Sequence, residues 1–128
     1  SLKLKEVSYI HSESYAAGEL KHGTISLIDE DVPVIAVATQ TGIIPKTISN
    51  VVEVKSRGAK VILVCTDACA RELKDGVADY VIEIPHTDEL LMPITAVVPL
   101  QILAYYTSIN RGIDRDKPKN LAKSVTVE

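Results

Sequence analysis

Four side chains stand out by type and setting. Lys123 lies in the closing stretch Asn120-Leu-Ala-Lys-Ser-Val-Thr-Val-Glu128. An amine on such a segment can fold over a pocket and attack a carbonyl, provided closure excludes water and lowers its pKa. A solvated tail charge is the plainer alternative. Lys3 and Glu6 are three residues apart in Leu2-Lys-Leu-Lys-Glu6. On a helix they share a face, where the ammonium can pair with the carboxylate and keep it ionised as a base. An ordinary surface ion pair of little energetic value fits that spacing equally. His22 follows Lys21 in Gly18-Glu-Leu-Lys-His-Gly23, a loop from which an imidazole can reach a ligand and titrate near neutral pH, or simply stay solvated. His11 and His86 belong to no comparable pattern. An amine nucleophile, a carboxylate and an imidazole together suit carbonyl chemistry with proton transfer.

The elements that must hold these groups follow from periodicity. Leu4, Val7 and Ile10 recur at helical spacing, and Gly18 stops the pattern, which predicts an amphipathic helix over 2–17. Lys3 and Lys5 sit poorly in a first turn, which implies a helix beginning upstream of Ser1 and a chain that is a fragment. A short apolar approach, Thr24 to Ile28, leads through an acidic turn to a strand over 32–38, with Pro33 tolerated near its start. Helical spacing returns over 44–57 and closes at Gly58; 60–66 is a fully apolar strand, with Cys69 in the loop after it, and 80–84 a third, short one. A long apolar helix over 89–110 is entered near Pro93, bends near Pro99 and ends at Gly112; its apolar surface is wider than one core face needs. Residues 113–119 form a charged linker to the tail. This alternation specifies a doubly wound α/β fold with a mainly parallel sheet flanked by helices.

Composition narrows the class. The chain has 128 residues and 46% hydrophobic content, enough for one core and too little for two domains. Phe and Trp are absent, so Val, Ile, Leu and Ala must build that core, as in a sheet buried on both faces. Net charge is −3 with the basic residues scattered, which argues against a nucleic-acid partner. The sequence reads as having neither a leader nor an apolar run approaching the roughly 20 residues that cross a bilayer, so no membrane association and a cytoplasmic location are expected. Cys65 and Cys69 are four apart but lack a second Cys or His pair, so no metal site is assigned; Cys65 reads as a small buried hydrophobe.

The stretches Leu2–Glu6, Tyr15-Ala-Ala-Gly-Glu-Leu-Lys-His-Gly23, Val98-Pro-Leu-Gln101 and Pro118–Glu128 closely resemble the C-terminal sugar-isomerase (SIS) half of the glutamine:fructose-6-phosphate amidotransferases, the glucosamine-6-phosphate synthases. The resemblance implies an SIS-type three-layer fold over 1–112, a second SIS domain, followed by linker and catalytic tail over 113–128. It further implies conversion of fructose 6-phosphate and glutamine-derived ammonia to glucosamine 6-phosphate, without metal or organic cofactor. By the family pattern Glu6 moves the proton between C1 and C2, His22 opens the sugar ring, and Lys123 holds the open ketose as an imine. Lys3 lines the same pocket and steadies developing negative charge, and Ala122 is a substrate-binding position. In relatives the counterpart of His22 reaches the neighbouring subunit's site, so a homodimer is implied.

A phosphate needs a cradle of backbone N–H and hydroxyl groups, and Thr39-Gln-Thr-Gly42 matches one only weakly. The family carries its phosphate loop in a preceding SIS half and its glutamine-splitting cysteine in a further N-terminal domain. These 128 residues are therefore expected to contribute catalytic groups without turning over substrate unaided. Two other readings stand beside this one. A non-catalytic sugar-phosphate-binding SIS module would need neither Lys123 nor Glu6. A phosphosugar isomerase or deglycase would need no ammonia donor.

Overall fold

The run Val61-Ile-Leu-Val-Cys65 offers no polar side chain to water, and the fold is arranged around hiding it. In the computed structural model, which describes residues 1–114, 116, 117 and 119, it forms the middle of a three-stranded parallel sheet. The strands are β1 (Pro33–Ala38), β2 (Lys60–Thr66) and β3 (Tyr80–Ile84), and the α-helices are α1 (Leu2–Ser8), α2 (Ile44–Lys55), α3 (Asp67–Glu72) and α4 (Met92–Asn110). Pro33 pairs with Lys60 and Ala38 with Cys65 on one edge of β2; Ile62 pairs with Tyr80 and Thr66 with Ile84 on the other. The chain divides into two units, Tyr15–Val97 and Ser1–Ser14 with the residues from Val98 onward.

In the larger unit, alternate residues Val61, Leu63 and Cys65 of β2 join Ala38, Val51, Val54, Ala59 and Cys69 in one buried cluster. Helix α2 supplies Thr47, Val51 and Val54 at the three- and four-residue steps that align one helical face. Pro45 sits in its first turn, where a missing N–H breaks no intrahelical bond. Gly58 closes the connection to β2 at φ 93°, and a Cβ there would lie 3.0 Å from the Glu30 backbone. The expected burial of both sheet faces holds for β2, where Val64 is also fully buried, and fails at β1. There Val34 and Ala36 pack on the cluster while Ile35 and Val37 are exposed.

The strand expectations match within one residue, but three others need correction. The helix expected over 2–17 ends at Ser8. Tyr9 turns left-handed at φ 55°, the Ser8 hydroxyl donates to the Leu4 carbonyl, and the Ser1 hydroxyl donates to the Ser12 carbonyl. Serine side chains competing for backbone groups outweigh the apolar period here. The residue expected in a loop, Cys69, lies on α3, whose N-cap Thr66 accepts from the Cys69 N–H at 3.4 Å. Helix α4 has 19 residues, none of them charged, and a mean hydropathy of 1.3, so by length and composition it is long enough to cross a bilayer. Thr95, Gln101, Thr107 and Ser108 interrupt its apolar run without adding charge. Ile94, Ile102 and Tyr106 on it are exposed, the wide apolar surface that its sequence suggests.

Asp79 fastens α2 to β2. Its carboxylate receives the Lys55 ammonium on both oxygens at 2.6 Å and the Val61 N–H at 2.7 Å. The Lys55 hydrogen bond first, and the Val61 N–H second, hold the acid below its ordinary value of 3.8. A depressed carboxylate pKa adds stability above the unfolded value and loses it as pH falls. Asp79→Asn is therefore expected to lower the melting temperature at pH 7, with the gap to the unsubstituted protein closing in thermal melts run below the ordinary value of 3.8.

Candidate functional site

The residues singled out for chemistry fall on separate parts of the structure. Lys3 and Glu6 share one face of α1, with the Lys3 ammonium donating to Glu6 Oε2 at 2.6 Å. The lysine side chain is 60% exposed and the glutamate 22%, so the carboxylate is partly sheltered while its partner meets solvent. Helix α1 belongs to the smaller unit and His22 to the larger. Lys123 and Ala122 lie outside the described residues.

His22 is the last residue of a 3-10 turn, Ala17–His22, none of whose residues is buried. A 3-10 turn has poorer hydrogen-bond geometry than an α-helix and is held chiefly by what it packs against. Leu20 packs on the core cluster, and the Lys21 ammonium meets Glu53 Oε2 of α2 at 2.5 Å. Arg57 adds a contact to the other Glu53 oxygen at 3.3 Å and donates to the Glu53 carbonyl at 3.0 Å. The Lys21 hydrogen bond is the main reason that the Glu53 carboxyl is held below its ordinary value, ahead of the opposing desolvation and the weaker Arg57 attraction. On the far side of His22, Gly23 takes φ 133°, a conformation an L side chain rarely adopts, and its carbonyl accepts from the Ser26 hydroxyl at 2.7 Å. The imidazole itself is exposed between these anchors.

The loop after β1 has a small cavity of about 120 Å³ beside it, lined by Thr39, Gln40, Thr47, Glu89 and apolar neighbours. The Thr41 N–H, one of the amides a phosphate would use, donates instead to Glu89 Oε1 at 3.2 Å. A carboxylate in that position repels an anion, which gives a physical reason for the loop's poor likeness to a phosphate cradle. Glu53 and Glu89 escaped the sequence reading because each acts on a partner distant in the chain, Lys21 and Thr41, and no local spacing announces such a pair. The short helix α3 did carry a local signal, Thr66 followed by Asp67, an N-cap and a first-turn acid.

Comparison with known proteins places this geometry. The SIS domain family profile matches residues 1–111. A curated relative from Clostridium perfringens, glutamine–fructose-6-phosphate aminotransferase [isomerizing], is 57% identical over all 128 residues, which make up 21% of that protein. The relative of the same name from Lactiplantibacillus plantarum is 56% identical over the whole chain, and the chain covers 20% of it. The chain thus spans about a fifth of the length of the curated relatives it matches. Among solved structures, the C-terminal domain of glucosamine-fructose-6-phosphate aminotransferase from Francisella tularensis superposes with a TM-score of 0.85 at 40% identity, covering 91% of this chain and 32% of that one. Glucosamine-6-phosphate deaminase from Thermotoga maritima gives 0.73 at 29% identity, covering 98% and 35%.

Burial separates the two cysteines from this chemistry. Cys65 is fully buried and Cys69 nearly so, and burial first, with the adjacent Cys69 second, pushes the Cys65 thiol up to about 12. Since the thiolate is the reactive form, a soluble disulfide reagent at pH 8 is expected to leave both thiols untouched in the folded protein and to modify both after unfolding. Rapid stoichiometric modification without unfolding would contradict the burial described.

Proposed function

The chain belongs to the SIS domain family, and from that premise we propose that it serves as the C-terminal isomerase part of a glutamine–fructose-6-phosphate aminotransferase. The observation that carries this reading is the 57% identity maintained along the entire chain with a protein of that activity. The family match ending at residue 111 supports a division into an SIS domain over 1–112 and a linker with catalytic tail over 113–128. The glutamine-splitting and phosphate-holding groups belong, on this reading, to parts of the enzyme that these residues do not supply, and Glu89 beside the Thr39–Gly42 loop is consistent with that division. A cytoplasmic homodimer completes the proposal.

The chemistry assigns one task to each group. His22 protonates the ring oxygen of fructose 6-phosphate as the ring opens. The Lys123 amine adds to the exposed C2 carbonyl and water leaves, giving an imine that polarises C2. Ammonia takes the place of the lysine amine at C2, and Glu6 accepts the proton from C1 and returns it to C2, leaving the amino aldose. The Lys3 ammonium, already 2.6 Å from Glu6, holds that carboxylate in place and offers positive charge to the enolic oxygen or amine that develops. Ala122, beside the imine lysine, contacts the bound sugar.

The likeness to a deaminase structure at 29% identity favours a second reading, an SIS-type phosphosugar isomerase or deglycase that needs no glutamine. The two are separated by assaying the full-length protein with fructose 6-phosphate and glutamine, and separately with glucosamine 6-phosphate alone. The leading reading predicts glutamine-dependent formation of glucosamine 6-phosphate, reduced by a factor of about 10² to 10⁴ in Glu6→Gln, the usual worth of a positioned acid–base group. Unchanged turnover in that variant would remove Glu6 from the mechanism, and glutamine-independent release of ammonia from glucosamine 6-phosphate would favour the deglycase form of the second reading.

A further inference from the structure

We propose that Glu53 is a positioning residue for His22, acting through Lys21. This rests on the reading that His22 acts on the sugar ring. The turn that carries His22 cannot fix the imidazole unaided: it is a six-residue 3-10 turn with no side-chain cap and no buried residue. Two contacts immediately before His22 fix it from outside. Leu20 inserts against the core cluster, and Lys21 reaches Glu53. The platform on the α2 side is rigid, because Val51 and Val54, on either side of Glu53 in sequence, are both buried. The Glu53 carboxylate is pre-oriented as well: Arg57 grips one of its oxygens and also bonds the Glu53 backbone carbonyl, leaving the other oxygen for Lys21.

An isolated exposed ion pair gains little because two long side chains must be ordered for one contact. Here Arg57 has already ordered the acid, so pairing restricts only Lys21. Releasing Lys21 leaves Leu20 as the anchor preceding His22, and the turn then divides its time between positions that place the imidazole and positions that do not. A pair of this class shifts such a balance by up to about fivefold.

The test uses the full-length protein and two independent readouts. Trypsin cuts after Lys21 only when the turn opens, so Glu53→Gln should raise cleavage at the Lys21–His22 bond and lower kcat/KM for fructose 6-phosphate, the two factors multiplying to as much as about fivefold because one population grows as the other shrinks. In a His22→Gln background the same substitution should cost nothing further, since its route to the reaction is gone. Lys21→Met, on the exposed side of the pair, should reproduce the loss of rate without altering α2. Unchanged cleavage and rate in Glu53→Gln would overturn the proposal, as would an equal loss of rate with His22 absent, which marks a general structural effect. A His22→Gln protein as active as the unsubstituted one would overturn the role of His22 itself, and this inference with it.

Discussion

The burial of β2 is the constraint on which the other elements depend. Val61, Leu63, Val64 and Cys65 are each fully buried, and a parallel strand hidden on both faces needs a paired strand on each edge and cover above and below. β1 and β3 supply the edges. One face is closed by α2, and the position of α2 then determines where Glu53 and Arg57 stand. The cost of disturbing such a strand is large, about 2–5 kcal/mol for removing one buried leucine side chain, so the platform beneath the His22 turn is stiff compared with the turn itself.

That contrast between platform and turn bears on the chemistry. The larger unit places its apolar area in the sheet and α2 and leaves Ala17–His22 on the surface, tied by the Leu20 side chain, the Lys21–Glu53 ion pair and the Thr24 hydroxyl donating to the Leu20 carbonyl. On α1 the Lys3–Glu6 pair is likewise exposed to solvent on the lysine side. A group that must meet a substrate and exchange protons has to remain reachable, and reachability is bought with weak anchoring, so the precision of such a site rests on contacts from neighbouring residues.

Much of this was legible in the sequence, and the exceptions have physical causes. β2 and β3 are readable to the residue because short runs rich in Val and Ile, bounded by turn residues, have few alternatives. α2 was readable because Ile48, Val51 and Lys55 keep helical spacing and Gly58 marks the end. Over 9–16 the apolar spacing continues past Ser8 and predicts helix, whereas the Ser1, Ser8 and Ser12 hydroxyls bond backbone carbonyls around the helix end and Tyr9 turns left-handed. Of the site, Lys3 and Glu6 could be paired from their spacing, and His22 placed on a turn from its glycine neighbour. The brace from Glu53 could not be foreseen, since it joins residues that only the packing of α2 brings together.

Under the proposed function Lys123 carries the sugar as an imine, and borohydride reduction tests that role most directly. Treating the full-length protein with fructose 6-phosphate and borohydride should convert the imine to a stable secondary amine, and peptide mass spectrometry should find the sugar phosphate on Lys123, with inactivation in proportion to labelling. Labelling of another lysine, or full activity retained by Lys123→Ala, would contradict the account.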